Sequence, residues 1–464
     1  MLFDTPVYLL FLSLVVLIYW RLGWRTQNQM LFVASCLFYG WWDWRFLLLM
    51  LASATVDFFL GQRIADSSSP ALRRSLLTFS LVLNLGVLGF FKYYGFFAQS
   101  LVDAFASMGV HSVSLPLLRV ILPPGISFYT FQEVAYIIDV YHGRLEPSRR
   151  FVDYGLFICL FPHLIAGPIQ RPSHLLPQVQ RPRYFDGEKF FAGLMLILLG
   201  LFRKSVIADN AANVANAAFN GDLGHSFLAT TIGVFAFALQ IYGDFSGYSD
   251  IARGSAQLLG FHFMVNFRQP YLASSLQDFW RRWHISLSTW LRDYLYFALG
   301  GNRGGSLRTY RNLMTTMLLG GLWHGANWTF VVWGGLHGCW LSIERVFSRS
   351  KESAGFRPAN WLVTMTVVGL SWLFFRARDL TQAIAMLADL RSLEWRPGFL
   401  PILVYLGVIA AITFAIDLRL EFWKEEYPFE KARTGFALAA AAVFGAVMVV
   451  FGPMESNAFI YFQF

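Results

Sequence analysis

His324 lies in LLGGLWHGANWTFVVWGGLHG, residues 318–338, an apolar run in which Gly320, Gly321 and Gly325 flank the imidazole. A neutral imidazole in such surroundings can take a proton from a hydroxyl, the step that acyl transfer to an alcohol requires. Glycines beside it let a backbone or a substrate approach closely. The competing reading is a histidine that only bonds a neighbouring helix, and the pattern alone weighs the two evenly. His337 belongs to the same run.

A second stretch, DFWRRWHISLSTWLRDYLYFALGGNRGG from Asp278 to Gly305, carries His284. Read as a helix, it sets His284, Ser288 and Arg292 on one face at i, i+4 and i+8. Trp280, Trp283 and Trp290 suit a membrane interface. Its end, Gly300 to Gly305, is a glycine loop with free amides and one arginine, Arg303, which could meet cofactor phosphates. A third stretch, YGDFSGYSDIARG from Tyr242 to Gly254, places Asp244 and Asp250 around a Ser-Gly-Tyr-Ser turn. It reads equally as the polar lining of a tunnel or as a packed helix break. No G-x-S-x-G elbow points to a serine nucleophile. The chain has nine histidines, yet no H-E-x-x-H or Cys/His spacing, so no metal site is expected.

The elements that hold these residues must be membrane helices. Hydrophobic residues make up 56% of the 464 and charged residues 14%, against about 45–50% and about 25% in soluble domains. The expected class is an all-α polytopic membrane protein. Spans of about 20 apolar residues are sought near residues 6–20, 29–42, 46–60, 75–92, 151–166, 189–207, 226–242, 313–342, 361–375, 400–417 and 435–452, about 11 crossings. Residues 6–20 have no basic residue before them and no small-residue cleavage site after them, and read as a retained first helix. Cys36, Cys159 and Cys339 are too scattered for a disulfide framework and read as packing residues. The net charge of +9 fits arginine-rich loops touching anionic lipid rather than nucleic acid.

Arginine placement sets the expected orientation. Arg21, Arg25, Arg63, Arg73 and Arg74 crowd the first and third loops, which puts the N-terminus outside the cytoplasm. Loops 345–357 and 419–433 are then cytoplasmic by charge. Strict alternation of the spans puts both outside, so either a crossing between 93 and 150 is missing or 313–342 turns back on itself. Residues 121–143, opened by Pro123-Pro124-Gly125, and the proline-rich 167–184 read as irregular backbone, which survives at membrane depth only inside protein or beside a wet cavity. No internal repeat is visible, which counts against a secondary transporter.

Four segments together resemble one family. Pro123-Pro124-Gly125-Ile126-Ser127-Phe128, FPHLIAGPIQRP at 161–172, FWRRWHISLSTWLRDYLY at 279–296 and GGLWHGANW at 320–328 are similar to the membrane-bound O-acyltransferases. The likeness is to the bacterial branch that includes the membrane subunit of alginate O-acetyltransferase, and it spans nearly the whole chain. It implies a ring of helices with re-entrant core segments around a central tunnel, as one membrane domain over 1–464. N-terminal helices would occupy 1–110, a catalytic core 120–345 and C-terminal helices 360–464. It makes His324 the essential residue and His284 its companion.

The resemblance further implies transfer of acetyl from a cytoplasmic thioester, acetyl-CoA, for O-acetylation of an extracytoplasmic polysaccharide such as alginate. Arg303 is then the candidate for the donor phosphates, and no cofactor is bound permanently. The expected setting is a bacterial inner membrane, with membrane lipid around the chain and a periplasmic protein carrying acetyl onward. Peptidoglycan or cellulose acetylation, D-alanylation of a lipid-linked polymer, and a non-enzymatic transporter or scaffold role are the alternatives. Gly243 stands where close relatives carry a bulky aromatic, which would widen the acyl path if the position lines it.

Overall fold

A computed structural model describes residues 1–111, 115, 121–165, 167–347, 357–428, 434–452, 457, 459 and 460. The described residues are helical, joined by turns and loops, without strands. They form two compact units. Unit 1 comprises Met1–Phe190 and Ser255–Met264; unit 2 comprises Phe191–Gly254 and Val265–Phe464. Residues 348–356 of the expected cytoplasmic loop 345–357, and 429–433 of the loop 419–433, lie outside the described residues.

Seven helices among the described residues are long and apolar enough to cross a bilayer: Trp44–Asp66, Pro70–Ser107, Gly187–Asn220, Phe227–Leu258, Pro358–Arg376, Phe399–Trp423 and Thr434–Phe451. The other expected crossings fall on shorter or interrupted helices. Pro6–Tyr19 has 14 residues, Trp24–Gly40 has 17, and the 151–166 span is broken at Leu160 between helices Phe151–Cys159 and Phe161–Leu164. Large apolar side chains stay exposed along these helices, among them Leu10, Val82, Val408 and Val449, as a lipid-facing surface requires. Starts follow local chemistry. Thr5 and Ser69 cap Pro6 and Pro70, each hydroxyl accepting a backbone N–H three residues on, with proline at a position whose N–H is not needed.

One expectation about the backbone changes, and one of two alternatives is decided. The stretch 121–143 is largely regular: Gly125, at φ 73°, turns the chain, and a helix follows from Ile126 to Tyr141. Proline stops a helix only behind itself, and the buried run Ile126–Val140 is free to wind. The stretch 313–342 does turn back on itself. Helix Ser306–His324 ends, and after Gly325-Ala326-Asn327 helix Trp328–Phe347 runs back along it. A Cβ on Gly321 would collide with the Phe330 carbonyl, and one on Gly334 with the Met317 carbonyl, so glycine sets how closely the two helices pack.

Unit 2 uses the same device between Gly187–Phe202 and Phe227–Leu258. A Cβ on Gly200 would lie 2.6 Å from the Gly247 carbonyl oxygen, and one on Gly254 2.6 Å from that of Gly193. Gly243 belongs to this seam. Its Cβ would meet the Arg203 carbonyl oxygen at 3.0 Å and the Ala208 amide nitrogen at 3.1 Å. The position faces a helix backbone rather than a tunnel, so the expectation of a widened acyl path is withdrawn.

Candidate active site

His324 is the last residue of its helix and is 4% exposed. Three aromatic rings stand edge-on around it: Trp323 and Trp333 at 5.1 Å between centroids and Phe375 at 5.2 Å. Gly325 follows because any Cβ there would strike the Phe330 ring. Asn327 then starts the returning helix. Its side-chain oxygen accepts from the Thr329 amide at 3.0 Å, and its amide group donates to the Arg378 carbonyl at 2.7 Å. The turn that ends on His324 is thus fixed from both sides.

His284 lies 6.2 Å from His324, ring to ring, and is fully buried. The structure brings the two histidines together although 39 positions lie between them in the sequence. His284 is not on a continuous helix, as the i, i+4, i+8 spacing had implied. Leu276–Arg282 and Ile285–Trp290 are separate helices, and His284 is the joint between them at φ 42° and ψ 53°. A side-chain-bearing residue adopts this left-handed conformation at a cost of about 1–2 kcal/mol, which the surroundings must offset. Asn266 supplies the clamp. Its carbonyl accepts from the Ile285 amide at 2.9 Å, its side-chain oxygen accepts from the Ser286 hydroxyl at 2.8 Å, and its amide donates to Ser249 at 3.0 Å. Phe245 meets the His284 ring edge-on at 4.6 Å. Burial pushes the His284 pKa down to about 3, so the imidazole is neutral at physiological pH.

The other residues singled out in the sequence are placed elsewhere. Ser288 donates to the Trp280 carbonyl at 3.1 Å, and exposed Arg292 pairs with Asp293. His337 is held from both ring nitrogens: the Trp280 indole donates to Nδ1 at 3.2 Å, and Nε2 meets the Ser371 hydroxyl at 2.9 Å. That arrangement keeps it a neutral packing residue. Arg303 is exposed on a turn whose glycines 300, 301, 304 and 305 all have positive φ. It does not join the aromatic shell around His324. Asp244 and Asp250 lie on the unbroken helix Phe227–Leu258, where they pair with Lys204 at 2.9 Å and Arg203 at 2.6 Å. Neither lies at a helix break; Asp244 is closed in the packing, whereas Asp250 lines an open depression beside Arg203.

Sequence reasoning missed the basic partners, because Arg203-Lys204 looks like the charged end of a span. Both are buried instead. Arg203 also reaches Asp417, 214 positions away, at 3.1 Å, and Asp417 in turn accepts from the Tyr242 hydroxyl at 2.9 Å. Above this network a depression of about 530 Å³ opens, lined by Arg203, Arg253, Arg268, Arg281, Arg282 and Lys424 among others, with carboxylates between them. Phe267 forms part of its wall, packs 5.0 Å from Phe245, and so lies one ring away from the His284 contact. Among the described residues no cluster of three His, Cys, Asp or Glu could hold a metal ion.

A buried histidine pair inside an all-helical, lipid-facing protein fits acyl transfer to a hydroxyl, and comparison with known proteins agrees. The model of the membrane-bound O-acyltransferase family matches residues 145–382, which include both histidines. The chain is 42% identical over 446 residues to the probable alginate O-acetylase AlgI of Pseudomonas putida, covering 93% of this chain and 90% of that protein. It is 36% identical over 429 residues to the peptidoglycan O-acetyltransferase of Helicobacter pylori, covering 85% and 80%. It is 26% identical over 261 residues to the teichoic acid D-alanyltransferase of Bacillus subtilis, covering 53% and 64%. The chain belongs to the membrane-bound O-acyltransferase family and is a multi-pass membrane O-acyltransferase.

Proposed function

We propose that this enzyme moves an acetyl group from a cytoplasmic thioester, acetyl-CoA, across a bacterial inner membrane for O-acetylation of an extracytoplasmic polysaccharide such as alginate. The observation that carries the reading is the His284–His324 pair, buried and 6.2 Å apart. His324 acts as general base. Its imidazole takes the hydroxyl proton as the acceptor oxygen attacks the thioester carbonyl. The tetrahedral intermediate then expels the thiolate, which recovers the proton from the imidazolium. The C-terminal end of helix Ser306–His324 favours the positive charge that forms there. His284, neutral and locked in its turn, positions or polarises a reactant.

The N-terminus faces the periplasm in this reading, as the arginine placement supports. Arg303 is the expected contact for the donor phosphates, and the arginine-lined depression is a second candidate. Arg303→Ala and Arg268→Ala distinguish them: the true contact raises the donor KM more than it lowers kcat. A soluble or single-span periplasmic protein carries acetyl to the polymer, because a hydrated chain reaching buried His324 would leave hydroxyls unpaired at about 1–3 kcal/mol each. The 36% identity to a peptidoglycan O-acetyltransferase favours peptidoglycan as the second acceptor reading.

The deciding experiment is His324→Ala with donor, acceptor and partner supplied. Acyl transfer falls by about 10²–10⁴-fold while expression and detergent behaviour stay normal. More than a tenth of the wild-type rate removes His324 from the mechanism.

A further inference from the structure

Unit 1 contains a second group of buried ionisable side chains. Asp57, on helix Trp44–Asp66, is fully buried; its two oxygens accept from the Ser80 hydroxyl at 2.5 Å and the Asn84 amide at 2.7 Å. Glu133, on helix Ile126–Tyr141, is also fully buried. Its Oε1 accepts from the Ser53 hydroxyl at 3.0 Å, whereas its Oε2 is sealed from solvent with no hydrogen-bond partner. The Tyr154 hydroxyl is likewise buried and without a partner, and its ring packs 6.0 Å from Phe58, the residue after Asp57, and 4.5 Å from Tyr136, three residues after Glu133. Ser53, which bonds Glu133, stands one turn before Asp57 on the same helix face, so the two acids are neighbours.

Among the described residues neither acid forms an ion pair with a lysine, arginine or histidine. The nearby basic groups are engaged elsewhere: Arg149 pairs with Asp66 at 2.7 Å, and Lys92 reaches the Ser127 hydroxyl at 3.3 Å. Tyr129 and Tyr136 complete the titratable surroundings. A carboxylate taken out of water is retained only with a compensating charge or as its neutral form. Two hydrogen bonds satisfy Asp57. Glu133 has one, and its open oxygen and the open Tyr154 hydroxyl belong to the same cluster.

We propose that Asp57, Glu133, Ser53, Ser80 and Tyr154 form a binding site for a small monovalent cation of sodium's size, with a proton on Glu133 as its competitor. All the donors are hard oxygens, which select alkali and alkaline-earth ions over transition metals. Of two buried carboxyls with no basic partner, one keeps its proton, so one unit of negative charge remains and calls for one unit of positive charge rather than two. The proposal is independent of the acyl-transfer chemistry, and its test reads stability rather than turnover.

Thermal unfolding of the full chain in nanodiscs is compared in sodium chloride and choline chloride at equal ionic strength, at pH 8 and pH 5.5. A ligand bound only by the folded state stabilises in proportion to the logarithm of its saturation. Tm therefore rises saturably with sodium at pH 8 and rises less at pH 5.5. Glu133→Gln abolishes the sodium response, and Tyr154→Phe raises the half-effective sodium concentration about tenfold, the loss of one good ligand. Equal Tm in sodium and choline, an unchanged response in Glu133→Gln, or a response to calcium in place of sodium overturns the site. Should Glu133→Gln fail to fold, Ser53→Ala and Tyr154→Phe each remove a single hydroxyl. An unaltered sodium response in both overturns it equally.

Discussion

Each unit has a central group of buried acids, and the two groups are held in opposite ways, although Asp139 and Asp153 of unit 1 also face arginines. Among the described residues of unit 2 every buried acid has a basic partner: Lys204 holds Asp209 at 2.8 Å and Asp244 at 2.9 Å, Arg203 holds Asp250 at 2.6 Å and Asp417 at 3.1 Å, and Arg419 holds Glu425 at 2.6 Å. In unit 1, Asp57 and Glu133 are met by hydroxyls and an amide alone. Paired charges of the first kind tie distant segments together permanently. Carboxylates of the second kind keep capacity for something that can come and go. His284 is a third case, an ionisable group buried as its neutral form.

The contrast can be broken by substitution, beginning with the largest expected effect. Lys204→Met leaves Asp209 and Asp244 without their shared cation and should destabilise by about 3–5 kcal/mol, the usual result of removing one partner of a buried pair. Denaturant or thermal unfolding in nanodiscs measures it; a change below about 1 kcal/mol would show that the network is not structural.

The next prediction concerns pH. The His284 pKa is about 3 when folded and 6.5 when unfolded. Between those values the unfolded chain binds a proton that the folded chain refuses. Its contribution to stability is therefore complete above about pH 6.5 and declines as pH falls toward 3, by at most about 1.4 kcal/mol per pH unit. His284→Asn, which tolerates the left-handed turn, should flatten that acid limb. An identical pH profile would mean that His284 is not the neutral buried group described.

The smallest effect should come from Glu133→Gln. In choline no cation balances Glu133, which is then held as its neutral acid; glutamine copies that form and keeps an oxygen for Ser53, so stability changes by less than about 1 kcal/mol. A loss comparable to that of Lys204→Met would erase the difference between the units.

Much of this was legible in the sequence. Apolar composition called for membrane helices, and the two histidine motifs picked out residues that do meet. The turn within 313–342, one of the two alternatives that arginine placement left open, is present as a hairpin. Other features could not be read locally. His284 looked helical because the residues on either side are; its left-handed joint depends on Asn266, an uncharged residue 18 positions away. Arg203-Lys204 resembled the charged end of a span, because the acids that draw both inward are scattered from Asp209 to Asp417. Gly243 looked like a missing tunnel residue, and only the opposing helix explains it.

The helix from Gly187 to Asn220 is α-wound except for Arg203–Ala208, which is π-wound with i→i+5 bonds. A π-turn holds one residue more than the α-turn it replaces. Deleting a residue there would restore an α-turn that closes the same rotation with one residue fewer, so the flanking turns would keep their phase while the side chains within the turn would be redirected. Arg203 and Lys204 could then no longer both keep their carboxylates. The extra residue and the two buried cations form one heritable unit. In an alignment of relatives, a single-position gap at 203–208 should coincide with loss of the Arg-Lys pair, or of Asp244 and Asp417, and sequences without the gap should keep all four.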